Sequence, residues 1–284
     1  MSVRVNDALA DVIATFEQAG ISTPSVDAVW LLRHVTGWSR ARLLANAATD
    51  LPESAAGRLE QLVVRRAARE PLQLILGSVG FRYLDLEVRP GVFIPRPETE
   101  VLAGEAIFRV PEGGVVVEPC TGSGAIACAV AHESRAATVV ATDISPAAVE
   151  LAAANAKRSA LSVAVLQGDL LTPVSDELRA RVDVLVCNPP YLTPDDLEGR
   201  DPEVVDWDPL EALVAGPSGH EITDRLVADG TQWLRPGGWL LLEVDATRAA
   251  ETARRATQAG FVDVHTVADL TGADRIVVAR RAES

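Results

Sequence analysis

Basic side chains are scarce and of nearly one kind. Lys157 is the only lysine among 26 basic residues, and 40 carboxylates outnumber them, for a formal net charge of −14 and a pI near 4.7. A chain without clustered lysine and arginine lacks the footprint of a protein that holds nucleic acid by its phosphates. Cysteine is also sparse. Cys120, Cys128 and Cys187 form no C-x-x-C pair, and His34, His132, His220 and His265 are scattered. Neither set has zinc-ligand spacing, so no metal site is expected, and the odd thiol count points to a reducing compartment rather than a disulfide framework. No apolar run approaches the 18 residues of a membrane span. Asp7, Asp11 and Glu17 stand where a secretion leader needs an apolar stretch. Repeats and low-complexity tracts are absent. The expectation is a cytoplasmic monomer with no direct nucleic-acid partner and no membrane contact.

What is present is ample core material. Hydrophobic residues make up 48% of 284, with mean hydropathy +0.15, enough for one large or two ordinary domains. Charge divides the chain. Residues 1–90 balance ten acidic against ten basic side chains, so all of the net charge lies in 91–284.

Residues 1–70 read as helices. Val5, Leu9, Val12, Ile13 and Phe16 recur at helical spacing before Gly20. Thr23-Pro24-Ser25 starts a second helix that Gly37 stops, a short third falls at 40–47, and a fourth runs from near Pro52 towards Pro71. This bundle is either a plain scaffold or a partner-docking module. Leu72, Leu74 and Leu76, then Phe81, Leu84, Leu86 and Val88, alternate like strands around Gly77 and Gly80, which predicts a connecting β-hairpin. Strand and helix patterns then alternate. Strands are expected at 115–117, 138–142, 163–166, 182–187, 239–244, 262–267 and 275–279, with a turn at 234–238 and a helix N-capped by Ser145 with Pro146 in its first turn. Alternation of this kind predicts an α/β doubly wound, mostly parallel seven-stranded sheet covered by helices. The expected division is a helical bundle over 1–71, a hairpin linker over 72–95 and a catalytic domain over 96–284.

Three motifs sit after strands. Glu118-Pro119-Cys120-Thr121-Gly122-Ser123-Gly124 joins the first strand to its helix, where glycines let backbone approach a ligand and the helix N-terminus offers free N–H groups. Asp143 ends the next strand and suits a ribose diol. This set also fits nicotinamide or flavin enzymes, or a tight turn with Asp143 as a cap. Asp169, in Gln167-Gly168-Asp169-Leu170, suits an adenine amine but is equally an ordinary turn residue. Asn188-Pro189-Pro190-Tyr191 is the strongest signal. Two prolines fix an extended backbone that donates no hydrogen bonds. The Asn188 side-chain oxygen and the Pro189 carbonyl are then placed to accept the two hydrogens of a planar NH₂, with the ring of Tyr191 beside it.

At these motifs the sequence resembles the class I S-adenosylmethionine-dependent methyltransferases, and more narrowly the PrmC/HemK family, the peptide chain release factor N5-glutamine methyltransferases. The likeness includes Glu70-Pro71-Leu72-Gln73, Phe93-Ile94-Pro95-Arg96-Pro97-Glu98-Thr99-Glu100, Asp208-Pro209 and Ala212-Leu213. The resemblance implies methylation of the glutamine amide in the Gly-Gly-Gln motif of class 1 release factors. It implies that Asn188, Pro189 and Tyr191 carry the reaction. The same residues with Pro190, Phe93, Pro95 and Arg96 would hold substrate. S-adenosylmethionine, released as S-adenosylhomocysteine, would be held by Thr121, Gly122, Ser123, Gly124, Asp143, Asp169, Leu170 and Asn188. No metal is implied. Cys120 stands where many relatives have glycine, Leu170 where an aromatic is frequent, and Glu243-Val244-Asp245 lacks a glycine and a following glutamine.

An amide nitrogen is a poor nucleophile, so such a site must work by positioning and electrostatics. The rival readings are methylation of another protein or small molecule, a DNA adenine-N6 methyltransferase and a binding protein that retained the fold. Adenine presents the same flat NH₂, but base flipping needs a backbone-gripping surface that the acidic second part lacks. Between Asp195 and Glu211 eight carboxylates face one arginine, Arg200. That stretch is either a solvated loop or an acidic wall that repels phosphate and meets a basic protein substrate.

Overall fold

Glycine and proline punctuate this chain, and the computed structural model, which describes residues 3–136 and 138–283, follows that punctuation closely. In chain order the helices are α1 (Val5–Gln18), α2 (Pro24–Thr36), α3 (Arg40–Ala45), α4 (Glu53–Ala67), α5 (Leu72–Leu76), α6 (Thr99–Arg109), α7 (Ala125–Glu133), α8 (Pro146–Arg158), α9 (Pro202–Val205), α10 (Leu210–Leu213), α11 (Glu221–Trp233) and α12 (Ala249–Gln258). The strands are β1 (Ser78–Phe81), β2 (Leu84–Glu87), β3 (Val115–Pro119), β4 (Thr138–Asp143), β5 (Ala164–Gln167), β6 (Val182–Cys187), β7 (Leu234–Glu243), β8 (Phe261–Ala268) and β9 (Asp274–Arg281). Two compact units result, one of Met1–Ser78 with Pro202–Trp207, the other of Val79–Asp201 with Asp208–Ser284.

The first unit is helical. Val5, Ala8, Val12 and Phe16 form one buried stripe of α1, and Ala28, Leu31, Leu32 and Val35 one of α2. Pro24 begins α2 and Gly37 ends it in the left-handed region at φ 68°. Arg66 of α4 is buried. Its Nε meets Asp27 Oδ2 at 2.7 Å, its Nη2 meets Glu203 Oε1 at 2.8 Å, and its Nη1 meets the Glu70 carbonyl at 3.0 Å.

Leu72, Leu74 and Leu76, expected in a strand, form helix α5 instead. Pro71 sets the entry at φ −54°, and Gly77 closes the turn at φ 76° by donating to the Gln73 carbonyl at 2.8 Å. Adjacent Leu74 and Ile75 are both buried, a helical pattern rather than an alternating one. The hairpin is therefore only β1 and β2.

In the second unit the sheet order is β5-β4-β3-β6-β7-β9-β8. The first five strands run parallel, while β9 is antiparallel to both β7 and β8. All six residues of central β6 are buried, as a strand covered on both faces requires. Ser145 caps α8, accepting from the Ala148 amide, as its sequence predicted. The turn expected at 234–238 is absorbed into β7, whose pairing starts at Leu234 opposite Val182 and shifts register before Val184. Gly238 allows this, because a Cβ there would lie 2.9 Å from the Val182 carbonyl oxygen. Helices α6 and α11 escape the sequence pattern because each carries a mid-helix glycine. A Cβ on Gly104 would press on Arg82, and one on Gly230 on Phe261, each at 3.1 Å. Among the described residues no helix is long and apolar enough to cross a membrane, and no cluster of three His, Cys, Asp or Glu is placed to hold a metal.

Candidate active site

In an open α/β sheet the strand ends carry the ligand site, and here the parallel strands β3, β4, β5 and β6 each end in a sequence motif. After β3 the chain turns sharply. Cys120 has φ 55°, Gly122 φ 55° and Gly124 φ 81°. Cys120 thus takes a left-handed conformation that glycine adopts at less cost. The two glycines differ in purpose. A Cβ on Gly124 would sit 3.0 Å from Ala152 Cβ, so Gly124 lets α8 pack closely, whereas a Cβ on Gly122 meets nothing within 4 Å. Gly122 therefore faces open space.

Glu118 holds the loop from below. One oxygen, Oε2, accepts both the Thr121 hydroxyl at 2.7 Å and the Ala127 amide at 2.8 Å. Burial pushes its carboxyl up to about 8. Ser123 is buried, and its carbonyl accepts from Asn155 Nδ2 at 2.9 Å. Asp143 ends β4 and accepts from the Gly122 amide at 2.8 Å and the Ser145 amide at 2.9 Å. Burial raises its carboxyl against those bonds. Loop and acid are thus one assembly, in which Asp143 also caps the chain entering α8. The open face at Gly122 and the adjoining carboxylate fit an adenosine ribose.

Leu170 is buried at φ 48°, and its carbonyl accepts the Thr142 hydroxyl at 2.5 Å. Asp169 Oδ2 accepts from Arg225 Nη2 at 2.6 Å, with both side chains about half exposed. One edge of Asp169 is thereby engaged within the protein.

β6 ends in Cys187, whose thiol donates to the Pro119 carbonyl at 3.0 Å, tying the two motifs together. Asn188 follows. Its Nδ2 donates to Thr99 Oγ1 at 3.2 Å, so the amide's oxygen is turned away from Thr99. Among the described residues neither Asn188 Oδ1 nor the Pro189 carbonyl receives a hydrogen bond. Pro189 is buried and Pro190 half-buried. Burial pushes the Tyr191 hydroxyl up to about 12, so it stays neutral across physiological pH. Leu192 bridges to Val214 and anchors the far side of the turn.

The segment before α6 is held separately. Asp208 is buried, accepts from the Ile94 amide at 3.2 Å and pairs with Arg96. Arg96 also lies over the Phe93 ring, 5.0 Å from its centroid. Pro95 is buried. Thr99 and Glu118 lie within the quoted motifs with no role of their own assigned by sequence, and Glu243 stands there only as a departure from the family pattern. A carboxylate at the end of a parallel strand is the signal that marks Glu243, as it marks Asp143.

The acidic stretch is not a uniform wall. Asp196 pairs with Arg248 at 2.7 Å, Glu203 with Arg66 at 2.8 Å, and Asp208 with Arg96. Asp195, Glu198 and Glu211 are exposed.

This sheet order, with a glycine loop after its first parallel strand and an acid ending the second, defines a class I methyltransferase. Residues 7–77 match the family model of the PrmC N-terminal domain, and residues 98–200 that of the methyltransferase small domain. A release factor glutamine methyltransferase of Mycolicibacterium smegmatis is 44% identical over 98% of both chains. One of Mycobacterium leprae is 40% identical over 100% of this chain and 99% of its own. A crystal structure of a methyltransferase from Pyrococcus furiosus shares the fold, with TM-score 0.54 at 18% identity over 80% of this chain and 99% of that one. The chain belongs to the release factor glutamine methyltransferase family.

Proposed function

We propose that this protein transfers a methyl group from S-adenosylmethionine to the side-chain amide nitrogen of a glutamine in peptide chain release factors, the glutamine of their Gly-Gly-Gln motif. Family membership over the full chain supports the reaction and the substrate class. The observation that carries the site assignment is the pair of acceptors after β6, Asn188 Oδ1 and the Pro189 carbonyl, both without a donor among the described residues.

Two acceptors on adjacent residues suit the two hydrogens of a planar NH₂. Accepting both hydrogens fixes the amide plane and turns the nitrogen's face outward. It also favours positive charge as that charge develops on nitrogen. Tyr191 flanks the flat group as a neutral aromatic. We assign the substrate's further contacts to Phe93, Pro95, Pro190 and Arg96, which Asp208 and the Phe93 ring hold in place. The bound cofactor supplies the electrophilic methyl group. Thr121, Gly122, Ser123 and Gly124 are its loop, Asp143 takes the ribose hydroxyls, and Asp169 and Leu170 border the base. We assign docking of a class 1 release factor to residues 1–71, a connecting role to 72–95 and the chemistry to 96–284, and place the activity in the cytoplasm with translation termination.

The test is incubation with labelled S-adenosylmethionine and purified class 1 release factors, with the Gly-Gly-Gln glutamine intact or replaced. Label on the intact factor and none on the replaced one is expected. Equal labelling of both, or labelling of DNA instead, overturns the assignment.

A further inference from the structure

Asn188 has a side chain whose two ends differ only in hydrogen-bonding sense. For the substrate amide to be held, the oxygen must face it, and something must keep the amide from turning over. Thr99, at the first position of α6, is buried at 4% exposure and accepts from Asn188 Nδ2 at 3.2 Å. The Thr99 hydroxyl also faces the carboxylate of Glu243, the last residue of β7, where its proton favours the ionised form. Glu243 is 4% exposed, and its Oε2 is buried without a hydrogen-bond partner. It makes no ion pair within 4 Å among the described residues.

A hydroxyl has one proton. An ionised carboxylate only accepts, so it takes the Thr99 proton and leaves Thr99 an acceptor towards Asn188. Asn188 must then present Nδ2 to Thr99 and Oδ1 to the other side. We propose that Glu243 is a positioning residue which, through Thr99, fixes the orientation of the Asn188 amide and so keeps its oxygen facing the substrate nitrogen. The inference rests on Asn188 being the substrate's acceptor.

A consequence concerns pH. Burial pushes the Glu243 carboxyl up to about 7. The groups facing it are Thr99 and Glu98 at the start of α6, Arg275 of β9, Asp269 before β9, and Tyr191 after β6. Thr99 and Arg275 favour the ionised form, and Glu98 and Asp269 oppose it. When Glu243 is protonated it donates to Thr99, whose own proton is then free to go to Asn188 Oδ1, the wrong orientation. Orientation is therefore secured as pH rises through about 7 and lost as pH falls below it.

The experiment measures kcat, KM for a release factor, cofactor affinity and the kcat–pH profile for wild type, Thr99→Val, Thr99→Ser, Glu243→Gln and Asn188→Ala. Thr99→Val is expected to lower kcat by about tenfold or more, with KM and cofactor affinity within about threefold of wild type. Thr99→Ser, which keeps the hydroxyl, should recover most of that loss. Glu243→Gln should lower kcat and abolish the rising limb near pH 7. If Asn188→Ala lowers turnover while Thr99→Val and Glu243→Gln keep wild-type kcat and pH profile, the positioning role is overturned and the acceptor role stands. If Thr99→Ser is as impaired as Thr99→Val, the hydroxyl relay is likewise refuted. If Asn188→Ala is fully active, the acceptor role itself fails, and the inference with it.

Discussion

Both units bury ionisable side chains, and three carboxyls at strand ends of the second are treated differently from the buried arginine of the first. In the helical unit Arg66, 3% exposed, has each side of its guanidinium met by an acceptor, Asp27 and Glu203 by ion pair and Glu70 by its carbonyl. In the methyltransferase unit Glu118, Asp143 and Glu243 are carried by β3, β4 and β7, yet none forms an ion pair within 4 Å among the described residues. They accept from hydroxyls and backbone amides instead, and burial raises all three carboxyls. A scaffold neutralises its buried charge. At these strand ends neutral donors set the geometry of the carboxyls instead, at a cost in stability.

The comparison breaks first at Arg66. Arg66→Ala leaves Asp27 buried without its partner and should cost about 3–5 kcal/mol. Denaturant unfolding checks this, and a loss below about 1 kcal/mol would mean that the bundle does not depend on its paired charge. The two loop glycines sharpen the picture next. Both have positive φ, so alanine strains either one, but only at Gly124 does it also strike Ala152. Gly124→Ala should destabilise by about 1–3 kcal/mol. Gly122→Ala should cost less stability but weaken cofactor binding by about tenfold, as read by calorimetry.

Glu118 tests the unpaired carboxylates by pH. Its folded pKa near 8 lies above its ordinary value of 4.5, so the folded state holds the proton more tightly. Its stabilisation is full below about pH 4.5 and is lost as pH rises through about 8, with a slope of at most about 1.4 kcal/mol per pH unit. Glu118→Gln keeps an oxygen for Thr121 and Ala127, so its stability should fall less between pH 6 and about 9 than that of wild type. An unchanged slope in melting temperature against pH would contradict this. The smallest effect is expected at Arg225, whose pair with Asp169 is half exposed. Arg225→Ala should change stability by less than about 1 kcal/mol in denaturant unfolding.

Much of this was legible in sequence. Helix stops at Gly37 and the Ser145 cap are local chemistry. The free acceptors at Asn188 and Pro189 were legible too, because two prolines remove donors right after a buried strand. What was hidden depends on tertiary contacts. Leu72–Leu76 reads as alternation until Pro71 and Gly77 are seen to frame one helical turn. The strand β7 begins five residues early because Gly238 admits the Val182 carbonyl. Thr99 lies 89 residues from Asn188, and no local pattern signals that hydrogen bond. The acidic stretch looked uniform because sequence does not show which carboxylates arginines from distant elements will claim.

The most direct test of the central claim, catalysis by orienting an amide, is single-turnover methyl transfer by Asn188→Ala, measured beside its affinity for S-adenosylmethionine. The rate should fall by about 100-fold or more while cofactor affinity stays within about threefold of wild type. A rate equal to wild type, or a loss explained entirely by weaker cofactor binding, would contradict it.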